Sequence, residues 1–251
     1  MPRKPREKSK TGIYHIMLRG IDKRNIFVND EDRRIFLSYI QKAKKISEFE
    51  LYGYCLMTNH VHMLIKENEE IGKSIKRITV GYVQWYNNKY GRTGHLFQNR
   101  YRSETVEDEK YLLTVLRYIH QNPLKAEIVS KMEEYAWSSY KDYILNYDGK
   151  ETGIDTELIM GYFKTQKEFK NFMNESNDDE FLEYEEKKKY TEKELTKAIN
   201  RIINIEQINK LPKKERDETI MNIYQATGAS IRQLSKSTGI GRGIIARAIK
   251  M

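Results

Sequence analysis

Cysteine is nearly absent: Cys55 stands alone in a chain of 251 residues. No intramolecular disulfide can form, and no cysteine-based zinc site can be built. Long apolar runs are missing too, since none approaches the ~18 residues of a membrane span. The N-terminus carries charge with no apolar stretch behind it, unlike a secretory signal. Together these absences predict a cytoplasmic protein with no membrane partner. Four prolines and 14 glycines leave no low-complexity linker, and no internal repeat is visible.

What is abundant is charge. Forty-five Lys and Arg face 36 Asp and Glu, a formal net charge of +9, which favours a polyanionic partner. The excess is segregated. Residues 1–10 hold five basic residues and one acid, residues 175–186 seven acids and no base, and residues 229–251 five basic residues and no acid. Two basic modules separated by an acidic spacer fit that distribution. With Pro2 and Pro5, residues 1–11 read as a flexible basic arm.

Periodicity gives the elements of the first module. Tyr14–Arg19 alternates as a strand ended by Gly20, and Asn29 and Asp30 are cap types before a helix carrying Ile35, Phe36, Tyr39, Ile40 and Ala43. Leu51–Met57 and His60–Ile65 read as two strands, and Ile71–Tyr90 as an amphipathic helix. A fourth strand is expected near Glu104–Glu107. A helix capped by Asp108 should follow to about Gln121 and stop at Pro123, because the residue before proline disfavours the α region. The order β-α-β-β-α-β-α predicts an α+β fold: a ferredoxin-like plait, an antiparallel sheet with helices on one face.

Chemistry concentrates in Thr58-Asn59-His60-Val61-His62-Met63-Leu64-Ile65. On a strand, His60, His62 and Leu64 share one face, while Val61, Met63 and Ile65 face the core. The two imidazoles then lie about 6–7 Å apart, within reach of one ion. Imidazole is a common metal ligand, but a His-x-His pair also suits an ordinary surface strand. Tyr118 and Asn122, four apart, share a face at the end of the last helix. Asn122 offers an amide oxygen as a third ligand and Tyr118 a hydroxyl nucleophile; Tyr118 is equally an ordinary aromatic in a chain with 18 tyrosines.

Three stretches occur in order: Thr58–Leu64, Gly94-His95-Leu96-Phe97-Gln98-Asn99-Arg100-Tyr101 and Tyr118-Ile119-His120-Gln121-Asn122-Pro123-Leu124-Lys125-Ala126, followed by Trp137-Ser138-Ser139-Tyr140. This set resembles the single-tyrosine HUH transposases, in particular the REP-associated tyrosine transposase branch, over residues 8–147. The resemblance implies that His60 and His62 hold a divalent cation, Mg2+ or Mn2+, and that Tyr118 is the catalytic tyrosine. Asn122 stands where related enzymes have a polar third ligand, often Gln, and neighbouring Gln121 is the alternative. The implied activity is a metal-dependent nicking and joining of single-stranded or hairpin DNA through a 5′-phosphotyrosine. A non-catalytic DNA-binding regulator and a replication or conjugation nickase are the other readings. Related enzymes include homodimers in which one subunit's tyrosine helix serves the other. Arg19, Arg100 and Arg102 flank the expected site and would neutralise phosphates.

Residues 148–190 read as a spacer with short helices around Leu158–Phe163 and Phe169–Met173, whose apolar groups should pack on one of the domains. Within 191–251, Ile231–Ile249 resembles the helix-turn-helix tails of replication initiators and regulators. Gly239 supplies the turn, Leu234, Ile240, Ile245 and Ile249 the shared core, and Arg242 and Arg247 the side chains for a major groove of duplex DNA. The expected organisation is therefore a nuclease domain over 1–147, the spacer, and a small all-α DNA-binding domain over 191–251.

Overall fold

In the computed structural model, residues 6–176 and 190–249 are described. The chain divides into two compact units, Met1–Glu183 and Tyr184–Met251.

The first unit carries a four-stranded antiparallel sheet: β1 (Ile13–Arg19), β2 (Glu50–Met57), β3 (His60–Lys66) and β4 (Arg102–Thr105), in spatial order β2-β3-β1-β4. That is the expected plait, with β1 and β3 in the centre. α1 (Asp30–Ser47) and α2 (Ile71–Lys89), the two crossover helices, pack on each other. A capping box starts α1: Asn29 Oδ1 accepts from the Asp32 N–H and Asp32 Oδ2 from the Asn29 N–H, each at 3.2 Å. The same buried carboxylate takes Lys89 Nζ at 2.7 Å and the Tyr90 hydroxyl at 2.9 Å, locking the start of α1 to the end of α2.

One face of the sheet is covered by α3 (Glu109–Lys125), N-capped by Asp108. Every β3 residue from Val61 to Ile65 is buried; the strand is central and covered on both sides. Contrary to expectation, α3 does not stop at Pro123 but runs one half-turn beyond it. A proline removes only its own N–H from the ladder. The Ala126 N–H to Asn122 and the Ile128 N–H to Pro123 backbone bonds, both 3.0 Å, carry the last turn onward.

Residues 148–173, read as a spacer whose apolar groups pack on one of the domains, join the first unit. They hold α5 (Glu157–Met160) and α6 (Gln166–Met173), which follow α4 (Tyr140–Tyr147), and Ile159, Phe169 and Met173 are fully buried in the first unit's core. Phe169 stacks against Tyr143 at 5.0 Å; an apolar surface of that size is more stable inside the core than in water. The basic arm is laid down from Arg6 onward. The Arg6 guanidinium lies 3.6 Å over the Tyr101 ring and donates to the Tyr101 carbonyl at 2.8 Å. Residues 1–5 and most of the acidic stretch 175–186 lie outside the described residues.

The second unit is all-helical: α7 (Glu192–Ile202), α8 (Ile205–Ile208), α9 (Lys213–Thr227), α10 (Ile231–Thr238) and α11 (Arg242–Ala248). Its own core includes Leu195, Ile199, Ile223, Leu234, Ile240 and Ile245. Gly239 ends α10 in the left-handed region (φ 72°), a conformation that glycine adopts without strain. Among the described residues no helix is long and apolar enough to cross a membrane.

Candidate active site

β3 presents its two histidines to the face under α3, and the neighbouring strands decide what surrounds them. In the β1–β3 register His60 lies opposite Arg19, His62 opposite Met17, and Leu64 opposite His15. Opposed residues share a face, so His15 and Arg19 of β1 join the two β3 histidines. β4 adds Glu104 opposite His15 and Arg102 opposite Met17.

The rings are in contact. His60 and His62 meet edge to face with centroids 5.2 Å apart. His62 Nδ1 lies 2.9 Å from His15 Nε2, and His15 Nδ1 lies 3.5 Å from Glu104 Oε2. The His60 Nδ1–H donates to Asn59 Oδ1 at 2.7 Å, and in a neutral ring Nε2 is then the lone-pair nitrogen. His62 is fully buried, and its Nε2 has no hydrogen-bond partner. Burial holds both His15 and His62 below the usual imidazole range, with the neighbouring imidazoles adding to the effect at His62. Both rings are therefore neutral near pH 7.

Tyr118 closes the site from above. It is 2% exposed, and its ring stands edge-on to His62 at 5.5 Å and to His15 at 5.9 Å. Lys125, two turns further along α3, holds its ammonium 5.2 Å from the Tyr118 ring centroid. The close seating of α3 depends on Gly53 of β2, where a Cβ would come within 2.5 Å of Leu116 Cδ1. It also depends on Ser139. That hydroxyl lies 2.8 Å from His120 Nε2 on α3 and accepts from the Tyr54 N–H of β2 at 2.8 Å. The Trp137–Tyr140 stretch has a physical task here. It bridges the open edge of β2, with the Leu56 N–H donating to the Trp137 carbonyl and the Ser139 N–H to the Tyr54 carbonyl.

One turn beyond Tyr118, the Asn122 amide nitrogen donates to the Tyr118 carbonyl at 2.9 Å, so a ligand from this side chain would be its amide oxygen. Gln121 points elsewhere: its amide donates to the carbonyls of Met173 and Glu175 at 2.7 and 2.8 Å. Arg19 and Arg102 share the histidine face, whereas Arg100 is exposed beside Tyr101 in a 720 Å³ cavity lined also by Arg6 and Lys10. Arg242 and Arg247 are exposed on α11 of the second unit. Among the described residues no three His, Cys, Asp or Glu side chains gather as a metal cluster. A cation here would rest on two imidazoles, a neutral oxygen and oxygens of a bound substrate. The buried, partnerless Nε2 of His62 fits such an ion, because an unpaired buried acceptor otherwise carries an uncompensated desolvation penalty.

Sequence reading had missed His15 and Glu104. His15 was visible as a polar residue inside an apolar strand, but its place beside His62 follows only from the β1–β3 register.

The first unit is thus a plait whose central strand carries paired imidazoles beneath a buried tyrosine. Residues 8–122 match the family described as "Transposase IS200 like". A Haemophilus influenzae protein provisionally described as a REP-associated tyrosine transposase is 24% identical over 148 residues, covering 54% of this chain and 83% of that protein. A solved REP-associated tyrosine transposase bound to a REP hairpin superposes with a TM-score of 0.51 at 17% identity. That match covers 62% of this chain and 93% of the other, and it establishes a shared fold.

Proposed function

We propose that the first unit is a divalent-cation-dependent transposase that nicks and rejoins single-stranded or hairpin DNA through Tyr118. The observation that carries this reading is the Tyr118 ring packed edge-on against His62, whose Nε2 is buried and without a protein partner. In this reading His60 and His62 supply two nitrogens to the cation, and Asn122 supplies an amide oxygen. Bound Mg2+ or Mn2+ would polarise the scissile phosphate and offset the charge that builds on it.

The chain's own groups account for the rest. The Tyr118 oxygen attacks phosphorus, the P–O3′ bond breaks, and the tyrosine proton is lost as the 3′ oxygen gains one. The products are a 5′-phosphotyrosine and a 3′-hydroxyl. The Lys125 ammonium, 5.2 Å from the Tyr118 ring centroid, adds a positive charge beside the site. The covalent link stores a phosphodiester, so a second 3′-hydroxyl reverses the step and joins a new strand. Arg19, Arg100 and Arg102 would neutralise the phosphates that approach this face. Hairpin DNA is the partner to try first, because the solved structural relative is bound to one. For the second unit we propose a duplex-binding role, with α11 entering a major groove and offering Arg242 and Arg247.

The test is covalent capture. Labelled single-stranded oligonucleotides carrying a hairpin should yield a denaturant-resistant adduct with the full chain in Mn2+ or Mg2+, and none in chelator. Tyr118→Phe should abolish the adduct while leaving DNA retention in a mobility-shift assay intact. An adduct that persists in Tyr118→Phe would remove Tyr118 from the role.

A further inference from the structure

We propose that Glu104 and His15 act as positioning residues that fix the proton of His62 on Nδ1 and so present its Nε2 to the cation. The inference rests on the metal reading of His60 and His62 and adds to it two residues from outside the motifs.

A hydrogen bond between two imidazoles needs one N–H and one lone pair. His15 Nε2 and His62 Nδ1 are 2.9 Å apart in a fully buried contact. A ring that offers Nε2 to a cation is neutral and keeps its single N–H on Nδ1, and a neutral His15 likewise has one N–H to place. Two arrangements satisfy the contact. In the first, the His15 Nε2–H donates to His62 Nδ1. His62 then carries its proton on Nε2, where no ion can bind, and His15 turns the Nδ1 lone pair toward Glu104 Oε2 at 3.5 Å, acceptor against carboxylate. In the second, the His15 Nδ1–H faces Glu104, His15 Nε2 accepts from the His62 Nδ1–H, and His62 Nε2 keeps its lone pair. The negative charge of Glu104 selects the second arrangement.

The relay is a product of register. Glu104 lies directly opposite His15 in the β1–β4 pairing, and His15 lies diagonally beside His62 in the β1–β3 pairing. His60 receives the same treatment from a different group, since Asn59 Oδ1 accepts from its Nδ1–H at 2.7 Å. Each histidine is thus held through Nδ1 by an acceptor, and each presents Nε2.

The decisive variant is Glu104→Gln. It keeps the shape of the side chain, but its amide can donate to His15 Nδ1 and so admits the first arrangement. Glu104 is partly exposed, and an unchanged urea midpoint confirms an intact fold. Two measurements on the full chain read the result. In 15N-histidine NMR of the metal-free protein, wild-type His62 should carry its proton on Nδ1, and Glu104→Gln should shift population to Nε2–H. In a Mn2+ titration followed by the EPR signal of the free ion, Glu104→Gln and His15→Phe should each raise the Kd about tenfold or more, the usual effect of losing such a partner. The proposal is overturned if wild-type His62 is protonated on Nε2, or if Glu104→Gln changes neither tautomer nor Mn2+ affinity. Wild-type protein that takes up no Mn2+ overturns the metal reading itself, a result distinct from wild-type binding that Glu104→Gln leaves unchanged.

Discussion

Gly53→Ala is the smallest change that should disconnect the tyrosine helix from the sheet. The new Cβ would stand 2.5 Å from Leu116 Cδ1 and 3.4 Å from Ser139 Oγ. Carbon atoms in contact prefer about 3.5–4.0 Å, so Leu116 must retreat by about 1 Å. It is fully buried, so the strain should pass to α3. Overpacking of this kind costs about 1–3 kcal/mol, read as a lower urea midpoint at unchanged m-value. Activity should fall further than stability, since a misplacement of about 1 Å at a reacting group can cost on the order of 100-fold; the rate of adduct formation at saturating oligonucleotide measures that. Truncating Leu116 to Ala makes room, so the Gly53→Ala/Leu116→Ala pair should lose at least about 0.5 kcal/mol less than the sum of the single losses. Additive losses in that cycle, or a Gly53→Ala protein with wild-type midpoint and adduct rate, would refute the claim that glycine sets the height of α3 over β2.

Three further outcomes are expected. His120 is buried against Ser139, and burial lowers its pKa to about 3. The folded state therefore stays neutral where the unfolded chain takes up a proton, and stability present above the ordinary value of about 6.5 falls as the pH drops. For this residue alone the loss from pH 7 to pH 5 is about 2 kcal/mol, and His120→Gln should flatten that part of the urea-unfolding profile; an unchanged slope would count against the neutral ring. Replacing Arg242 and Arg247 together by Ala should weaken duplex binding and shallow its salt dependence, with hairpin capture at the first unit unaffected; equal affinity for duplex would refute the groove placement. Because Tyr118 packs on the histidines of its own chain, a mixture of Tyr118→Phe and His62→Ala proteins should form no adduct. Restored capture in that mixture would mean that the tyrosine is delivered by a second copy.

The order of elements was legible because this chain marks its boundaries locally. Asn29 and Asp108 each accept a backbone N–H where the cap residues had been read. The period-2 run of β3 and the helical spacing of α1 and α2 likewise appear where they were expected. Pro123 misled for a local reason as well. The rule that proline ends a helix concerns the residue before it and one missing N–H, and here Asn122 and Pro123 both keep accepting from the residues beyond them. The spacer's apolar residues were expected to pack on one of the domains; which one was non-local information, and Phe169 packs among Tyr140, Tyr143 and Tyr147 of α4.

The site divides along the same line. Residues close together within one element, His60 with His62 and Tyr118 with Asn122, could be paired from spacing, because a strand and a helix have fixed periods. Residues joined by strand pairing could not, because a one-residue slip between β1 and β3 would send His15 to the opposite face. That dependence makes the register part of the chemistry. A shift of β4 by one residue would place Ser103 or Thr105 opposite His15 in place of Glu104, and a hydroxyl, which both donates and accepts, would no longer dictate the proton position on His62. A histidine motif fixes which side chains face the ion, and the strands on either side of it fix which nitrogen those side chains offer.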